Sequence, residues 1–104
     1  MRETLTTLAR QADAAGVELV FLTYPADRPL SPMYSSVNGV IRTVAAATGK
    51  RLIDLGSRIG ATCTADAACD TLLRDHHPSV PGHRQAATLI LDTLARPETK
   101  PPSG

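Results

Sequence analysis

The chain has 104 residues, enough for one domain at most, and 42% of them are hydrophobic, which favours a globular class over a disordered one. Eleven Lys and Arg residues balance ten Asp and Glu residues, and no run of basic residues occurs that could bind a phosphate backbone. The chain has only three aromatic residues that could stack on bases, Phe21, Tyr24 and Tyr34. We therefore expect no nucleic-acid partner. The longest apolar stretch, residues 17–22, is too short for a membrane span, and no secretory signal follows Met1.

The first half of the chain predicts a helix, a strand and a second helix. Small and apolar residues recur at helical spacing over residues 4–15, and Gly16 ends that helix. Residues 17–22 are β-branched and aromatic and predict a mostly buried strand, whereas the prolines of residues 23–32 predict a loop. Residues 34–48 show helical spacing again and predict the second helix.

The second half predicts a strand and a final helix. Residues 51–55 predict the second short strand, and one helical turn is expected at residues 56–60. Residues 61–74 predict a long loop, and residues 81–95 predict a helix with a broad apolar face. The proline-rich residues 96–104 predict a flexible tail.

This order of elements predicts an α/β fold with a short parallel sheet of two strands flanked by helices. Two strands leave the edges and faces of a parallel sheet to be covered, so we expect the sheet to be incomplete. Residues 1–95 are therefore expected to form part of a larger α/β domain that needs a missing half or a partner to cover the sheet.

The most distinctive segment lies just before the last helix, where Asp75 stands two residues before His77, and Pro78 and Gly82 follow. A carboxylate that accepts the Nδ1 proton of an imidazole fixes its tautomer, so that the other nitrogen can take a proton from a serine hydroxyl. Residues two apart in an extended segment point to the same side. We therefore predict that Asp75 orients His77 and that His77 is a general base.

The Asp75-x-His77-Pro78 pattern, with Gly82 after it, resembles the last block of the SGNH (GDSL-type) esterase and lipase family. The more familiar family spacing is Asp-x-x-His, and Arg74 stands at that position here. The resemblance implies a partial three-layer α/β/α SGNH-hydrolase-like fold. It also implies Ser-His-Asp acyl-enzyme chemistry on a carboxylic ester, O-acetyl or lipid substrate, with Asp75 and His77 catalytic and no cofactor.

The nucleophile segment of that family, Gly-Asp-Ser, and its Gly-x-Asn-Asp segment have no counterpart in this chain. The resemblance therefore implies that the chain is the C-terminal half of such an enzyme and that a missing N-terminal half supplies the serine. Ser57 follows a glycine at a predicted turn, but the Gly-x-Ser-x-Gly elbow is absent. The remaining serines considered as nucleophiles, which also lack such surroundings, are Ser31, Ser35 and Ser36.

Loops beyond the carboxyl ends of parallel strands carry the functional residues of open α/β sheets. Tyr24 follows the first strand, and by resemblance its loop contributes to the substrate-binding cleft, although an ordinary turn explains it equally well. Asp54 closes the second strand, where an Asp more often ties down the following turn. His76 is the alternative general base, and Ser79 is expected to cap the last helix.

Cys63 and Cys69 are close together in a predicted loop, which suits a small disulfide and weakly favours a secreted or cell-envelope protein. Two unrelated free thiols are the alternative. A rival zinc site would combine these cysteines with His77 and His83, but the Cys spacing is longer than zinc sites usually have. The rival for the whole chain is a non-catalytic α/β fragment or interaction module that kept the architecture without the nucleophile.

Overall fold

The computed structural model describes residues 1–26, 32–59 and 77–96. In these segments four helices and two strands follow one another in the order α, β, α, β, α, α. Their bounds are α1 Arg2–Ala15, β1 Val20–Leu22, α2 Pro32–Thr48, β2 Arg51–Ile53, α3 Leu55–Arg58 and α4 Val80–Ala95.

The two strands are parallel neighbours, with Val20 opposite Arg51 and Leu22 opposite Ile53. The predicted α/β class, with mixed helices and a short parallel sheet of two strands, is thus confirmed for the described part of the chain. Both strands are shorter than predicted. Asp54 leaves β2 because it is the N-cap of α3, whose backbone begins immediately after the strand.

The late start of β1 follows from the way α1 ends. Gly16 adopts φ 69° and donates its N–H to Asp13, while the N–H of Val17 donates to the carbonyl of Ala12 at 2.9 Å. This is the bond pattern of a Schellman motif, which consumes the N–H of the residue after the glycine. Val17 therefore belongs to the helix cap, although its β-branched side chain favours a strand.

Helices cover both faces of the sheet. On one face α1 and α2 enclose a buried cluster in which Ala9, Phe21 and Val44 meet. On the other face Ile53 packs with two further buried residues, Leu55 and Ile59. One side of α4 covers this second cluster through Ala86, Leu89 and Ile90. Burial of these side chains is what holds the short strands between the helices.

None of the helices in the described segments is long and apolar enough to cross a bilayer.

Candidate functional site

The carboxyl ends of the two strands meet at Thr23 and Asp54. Thr23 donates its backbone N–H to the Ile53 carbonyl at 3.1 Å and its hydroxyl to Oδ1 of Asp54 at 2.9 Å. The hydroxyl of Thr23 also accepts the backbone N–H of Gly56 at 2.9 Å. Thr23 is almost fully buried, so these bonds lock the end of β1 to the turn that begins α3.

Asp54 is the centre of this edge. Its side chain caps α3 by accepting the backbone N–H of Ser57 at 3.1 Å, and it also accepts the Ser57 hydroxyl at 3.0 Å. Arg42 reaches the same carboxylate from α2 with two bonds, Nε to Oδ2 at 2.7 Å and Nη2 to Oδ1 at 2.9 Å. The expectation that Asp54 ties down the following turn is confirmed.

The electrostatics of Asp54 follow from these donors. Partial burial raises the pKa of the carboxyl, but the hydrogen bonds from Arg42, from the Ser57 backbone, from Thr23 and from the Ser57 hydroxyl outweigh it. The pKa is lowered from 3.8 to about 2 as a result. A carboxylate so strongly held in its charged form is a poor proton acceptor at neutral pH, so Asp54 acts as a structural anchor.

Three residues of α2, spaced four apart, line up towards this edge: Tyr34, Asn38 and Arg42. We call them the polar stripe of α2. Residues at i, i+4 and i+8 lie on one side of a helix. Each contacts a segment that follows a strand, since Tyr34 and Asn38 bind the segment after β1 and Arg42 binds the residues after β2.

Asn38 fixes the backbone after β1. Its Oδ1 accepts the N–H of Tyr24 at 2.9 Å, and its Nδ2 donates to the carbonyls of Tyr24 at 2.9 Å and Ala26 at 3.0 Å. Asn38 is fully buried, and an unpaired amide at that position would be costly. The sequence signal for Asn38 is a polar residue inside an apolar helical pattern, and neither Asn38 nor Arg42 was among the predicted site residues.

Tyr24, the predicted substrate-binding residue, is half-buried at this edge. Its ring stacks on the ring of Tyr34, with centroids 4.2 Å apart and planes 15° from parallel. Offset or parallel ring pairs of this kind add roughly 1 kcal/mol beyond burial. Together with the bonds from Asn38, the stack gives Tyr24 a defined position, and its role towards a substrate stays a prediction.

The direction of α4 decides where the His77 segment lies. The Arg51 guanidinium at the start of β2 donates to the carbonyl of Thr93 near the end of α4, whereas Ala86, earlier in α4, packs against the cluster that contains Ile53. Helix α4 therefore runs antiparallel to β2. Its first turn consequently lies towards the carboxyl end of β2, the same end as Asp54.

His77 is exposed and comes three residues before the first residue of α4. Its predicted partner Asp75 and the alternative base His76 lie outside the described residues, so the Asp75–His77 contact stays a prediction. His83 is exposed within α4. The prediction for Ser79 is confirmed, because its hydroxyl caps α4 by accepting the N–H of Gly82 at 3.2 Å.

The serines in the described segments are placed differently from a nucleophile. Ser57 donates its hydroxyl to the ionised Asp54 and accepts Nη2 of Arg42 at 3.2 Å. A nucleophilic serine needs a neighbouring base that takes its proton. The carboxylate of Asp54 has too low a pKa for that role, and the Arg42 cation lies against the Ser57 oxygen, so Ser57 serves the helix cap instead. Ser35 and Ser36 lie within α2, and Ser31 lies outside the described residues.

Cys63 and Cys69 also lie outside the described residues, and with them the predicted disulfide and the alternative zinc site. Within the described segments, no three His, Cys, Asp or Glu side chains come together in a way that would hold a metal ion.

Comparison of the chain with protein-family models, with curated proteins and with solved structures finds no match. The function is therefore inferred from the residues at the carboxyl edge of the sheet.

Proposed function

We propose that this chain supplies the base and its orienting carboxylate to an SGNH-type ester hydrolase, in which the nucleophilic serine comes from polypeptide outside the chain. His77 is the general base, and Asp75 accepts its Nδ1 proton. The substrate class is a carboxylic ester, including O-acetyl groups and lipid esters. The finer description of the fold, as part of a three-layer SGNH-like domain, belongs to the same proposal.

The direction of α4 is the observation that carries the proposal. Because α4 runs antiparallel to β2, its first turn lies towards the carboxyl end of β2, and this direction supports the proposal that His77 acts at the edge where Tyr24 and Asp54 lie. Functional residues of open α/β sheets gather at this edge. The exposed imidazole and the Ser79 cap support the same view, because a rigid helix start beside an accessible His suits a base.

In each half of the catalytic cycle, His77 accepts one proton and then donates it. The serine Oγ attacks the ester carbonyl carbon while Nε2 of His77 takes the hydroxyl proton, and the imidazolium then protonates the departing alcohol oxygen. A water molecule next attacks the acyl-serine, again losing its proton to His77. The acyl–Oγ bond then breaks, the imidazolium returns its proton to the serine Oγ, and the carboxylic acid leaves. Asp75 stabilises the imidazolium in both halves of the cycle.

The first test examines the chain itself, by ¹⁵N–¹H NMR of the imidazole rings. We expect the neutral His77 ring to carry its proton on Nδ1 in the wild-type chain. Asp75→Ala should shift this tautomer balance towards that of His83, the exposed reference histidine in the same molecule. An unchanged His77 tautomer in Asp75→Ala would contradict the role given to Asp75.

The second test measures hydrolysis of a short-chain aryl ester. The isolated chain should show negligible turnover, since general-base catalysis without a nucleophile gives only about 10² to 10⁴-fold acceleration at best. Joined to an N-terminal half that bears a Gly-Asp-Ser segment, it should gain activity that His77→Ala abolishes. The matched controls His76→Ala and His83→Ala should retain most of it.

Two results would overturn the proposal. One is activity of the joined enzyme that survives His77→Ala. The other is robust hydrolysis by the isolated chain that is lost in Ser57→Ala, which would transfer the nucleophile role to Ser57 despite its capping bonds.

A further inference from the structure

An open groove between the end of α3 and the second and third turns of α4 is independent of the carboxyl-edge residues discussed above. It encloses about 320 Å³, within the range of small-molecule sites. Among the residues that the structure describes, its lining comes from two helices and comprises Arg58, Arg84, Gln85, Thr88 and Leu89.

The two arginines give the groove its charge. Arg58 is the last residue of α3 and Arg84 lies in α4, so each of the two helices contributes one arginine to the lining. In the described segments neither arginine forms an ion pair with a carboxylate. The cations that do form such pairs there are Arg42, Lys50 and Arg51. Two guanidinium groups that have no carboxylate partner in the described segments repel each other when they line one groove, and an anion bound there relieves that repulsion.

The other lining residues restrict what the anion is attached to. Gln85 offers an amide that can donate or accept. The Thr88 hydroxyl donates its proton to the Arg84 carbonyl at 3.0 Å, so its oxygen can accept but not donate a hydrogen bond to a ligand. Leu89 adds an apolar surface, although part of it packs on the cluster under α4. Two cationic, two neutral polar and one apolar side chain thus line the groove in the described segments.

From this arrangement we infer that the groove binds a small phosphate monoester whose organic part contacts Leu89. A phosphate monoester carries a charge of about −1.5 to −2 near pH 7, which matches two guanidinium groups, whereas a single carboxylate matches one. Planar guanidinium groups also bind phosphate oxygens in a bidentate manner. This inference does not rest on ester hydrolysis by His77.

The experiment titrates the full chain with phenyl phosphate and follows the Arg Nε–Hε signals by NMR. We expect saturable shifts at Arg58 and Arg84, and at least a roughly tenfold weaker affinity in Arg58→Gln and in Arg84→Gln. Arg84→Lys should bind with intermediate affinity because it keeps the charge but loses the planar fork. Arg10→Gln, an exposed arginine of α1, is the matched control and should bind like the wild type.

Two comparison ligands test the class of the ligand. Benzoate, a monoanion with the same ring, should bind at least about tenfold more weakly than phenyl phosphate, and inorganic phosphate should also bind more weakly because it cannot contact Leu89. Equal affinity for benzoate would overturn the assignment to a phosphate monoester. Shifts that never saturate, or an equal loss in Arg10→Gln, would overturn the site itself.

Discussion

At the scale of single residues, the carboxyl edge of the sheet depends on contacts between distant parts of the chain. The polar stripe of α2 reaches both segments that follow the strands, with Asn38 bound to Tyr24 and Arg42 bound to Asp54. Sequence reasoning identified Tyr24 and Asp54 because they follow strands. It missed Asn38 and Arg42 because a polar residue in a helix is ordinarily solvated, and only the packing of α2 on the sheet gives these two a partner.

Asp54 makes the folded state sensitive to acid. Since folding lowers the pKa of its carboxyl from 3.8 to about 2, the unfolded state binds the proton more readily. The stability contributed by Asp54, about 1–2 kcal/mol once solvent screening of this partly exposed carboxylate is included, is present above about pH 4 and is lost as the pH falls through about 2. Asp54→Asn should therefore destabilise the chain at pH 7 and reduce the dependence of stability on pH below 4, as measured by urea unfolding.

Asp13→Asn provides the control for Asp54→Asn. Asp13 pairs with Lys50 at the surface and its side chain is 63% exposed. Exposed pairs of this kind contribute little, about 0 to 1 kcal/mol. Equal effects of the two substitutions at pH 7 would contradict the view that Asp54 is the anchor of this edge.

At the scale of helices and strands, the sequence predicts the end of an element where a local preference, such as that of glycine for left-handed backbone, determines it. Gly16 was expected to end α1, and it adopts a left-handed conformation with φ of 69°, as does Gly49 after α2 with φ of 66°. The strand lengths were less predictable. Whether Val17 and Asp54 continue a strand or cap a helix is decided by competing hydrogen bonds, which the pattern of apolar residues does not contain.

Three glycines in the same chain should respond to alanine with opposite signs. Gly16→Ala and Gly49→Ala should destabilise the chain by about 1 kcal/mol, because alanine is strained at positive φ. Gly39 lies inside α2 with nothing within 4 Å of an added Cβ, so Gly39→Ala should stabilise by about 0.5–1 kcal/mol. Urea unfolding measures all three. Destabilisation by Gly39→Ala would show that α2 is packed more tightly at that point than the structure indicates.

The start of α4 allows a similar comparison between two serines. Ser79→Ala removes the side chain that accepts the Gly82 N–H and should cost about 1 kcal/mol of unfolding free energy. Ser36→Ala, at an exposed position inside α2, should change stability by no more than about 0.5 kcal/mol. If the two serines behave alike in thermal unfolding, the cap does not hold the helix start that the His77 proposal relies on.

At the scale of the whole molecule, helices lie on both faces of the sheet, but several apolar side chains in the described segments stay exposed. Phe21 is buried under α1 and α2, but its neighbour Leu22 points to the α4 side and is 44% exposed. Helix α4 itself exposes Leu91 at 67% and Leu94 at 52%. The expectation of an incomplete sheet came from the count of two strands. Which apolar side chains stay exposed depends on the position of α4 on the sheet, and the sequence pattern does not determine that position.

These exposed leucines predict that the isolated chain self-associates as its concentration rises, because burying apolar surface against another molecule is favourable. A Leu91→Gln and Leu94→Gln double variant should shift sedimentation velocity profiles towards the monomer, at little cost in stability since both side chains are largely solvated. The control is Leu8→Gln on α1, where a leucine 45% exposed belongs to the opposite layer. A chain that stays monomeric at high concentration, or that responds as strongly to Leu8→Gln, would mean that the outer surface of α4 does not drive association. Addition of the folded N-terminal half that the proposed function invokes should suppress the association only if that half also covers α4, so the same measurement tests which surface the proposed half would occupy.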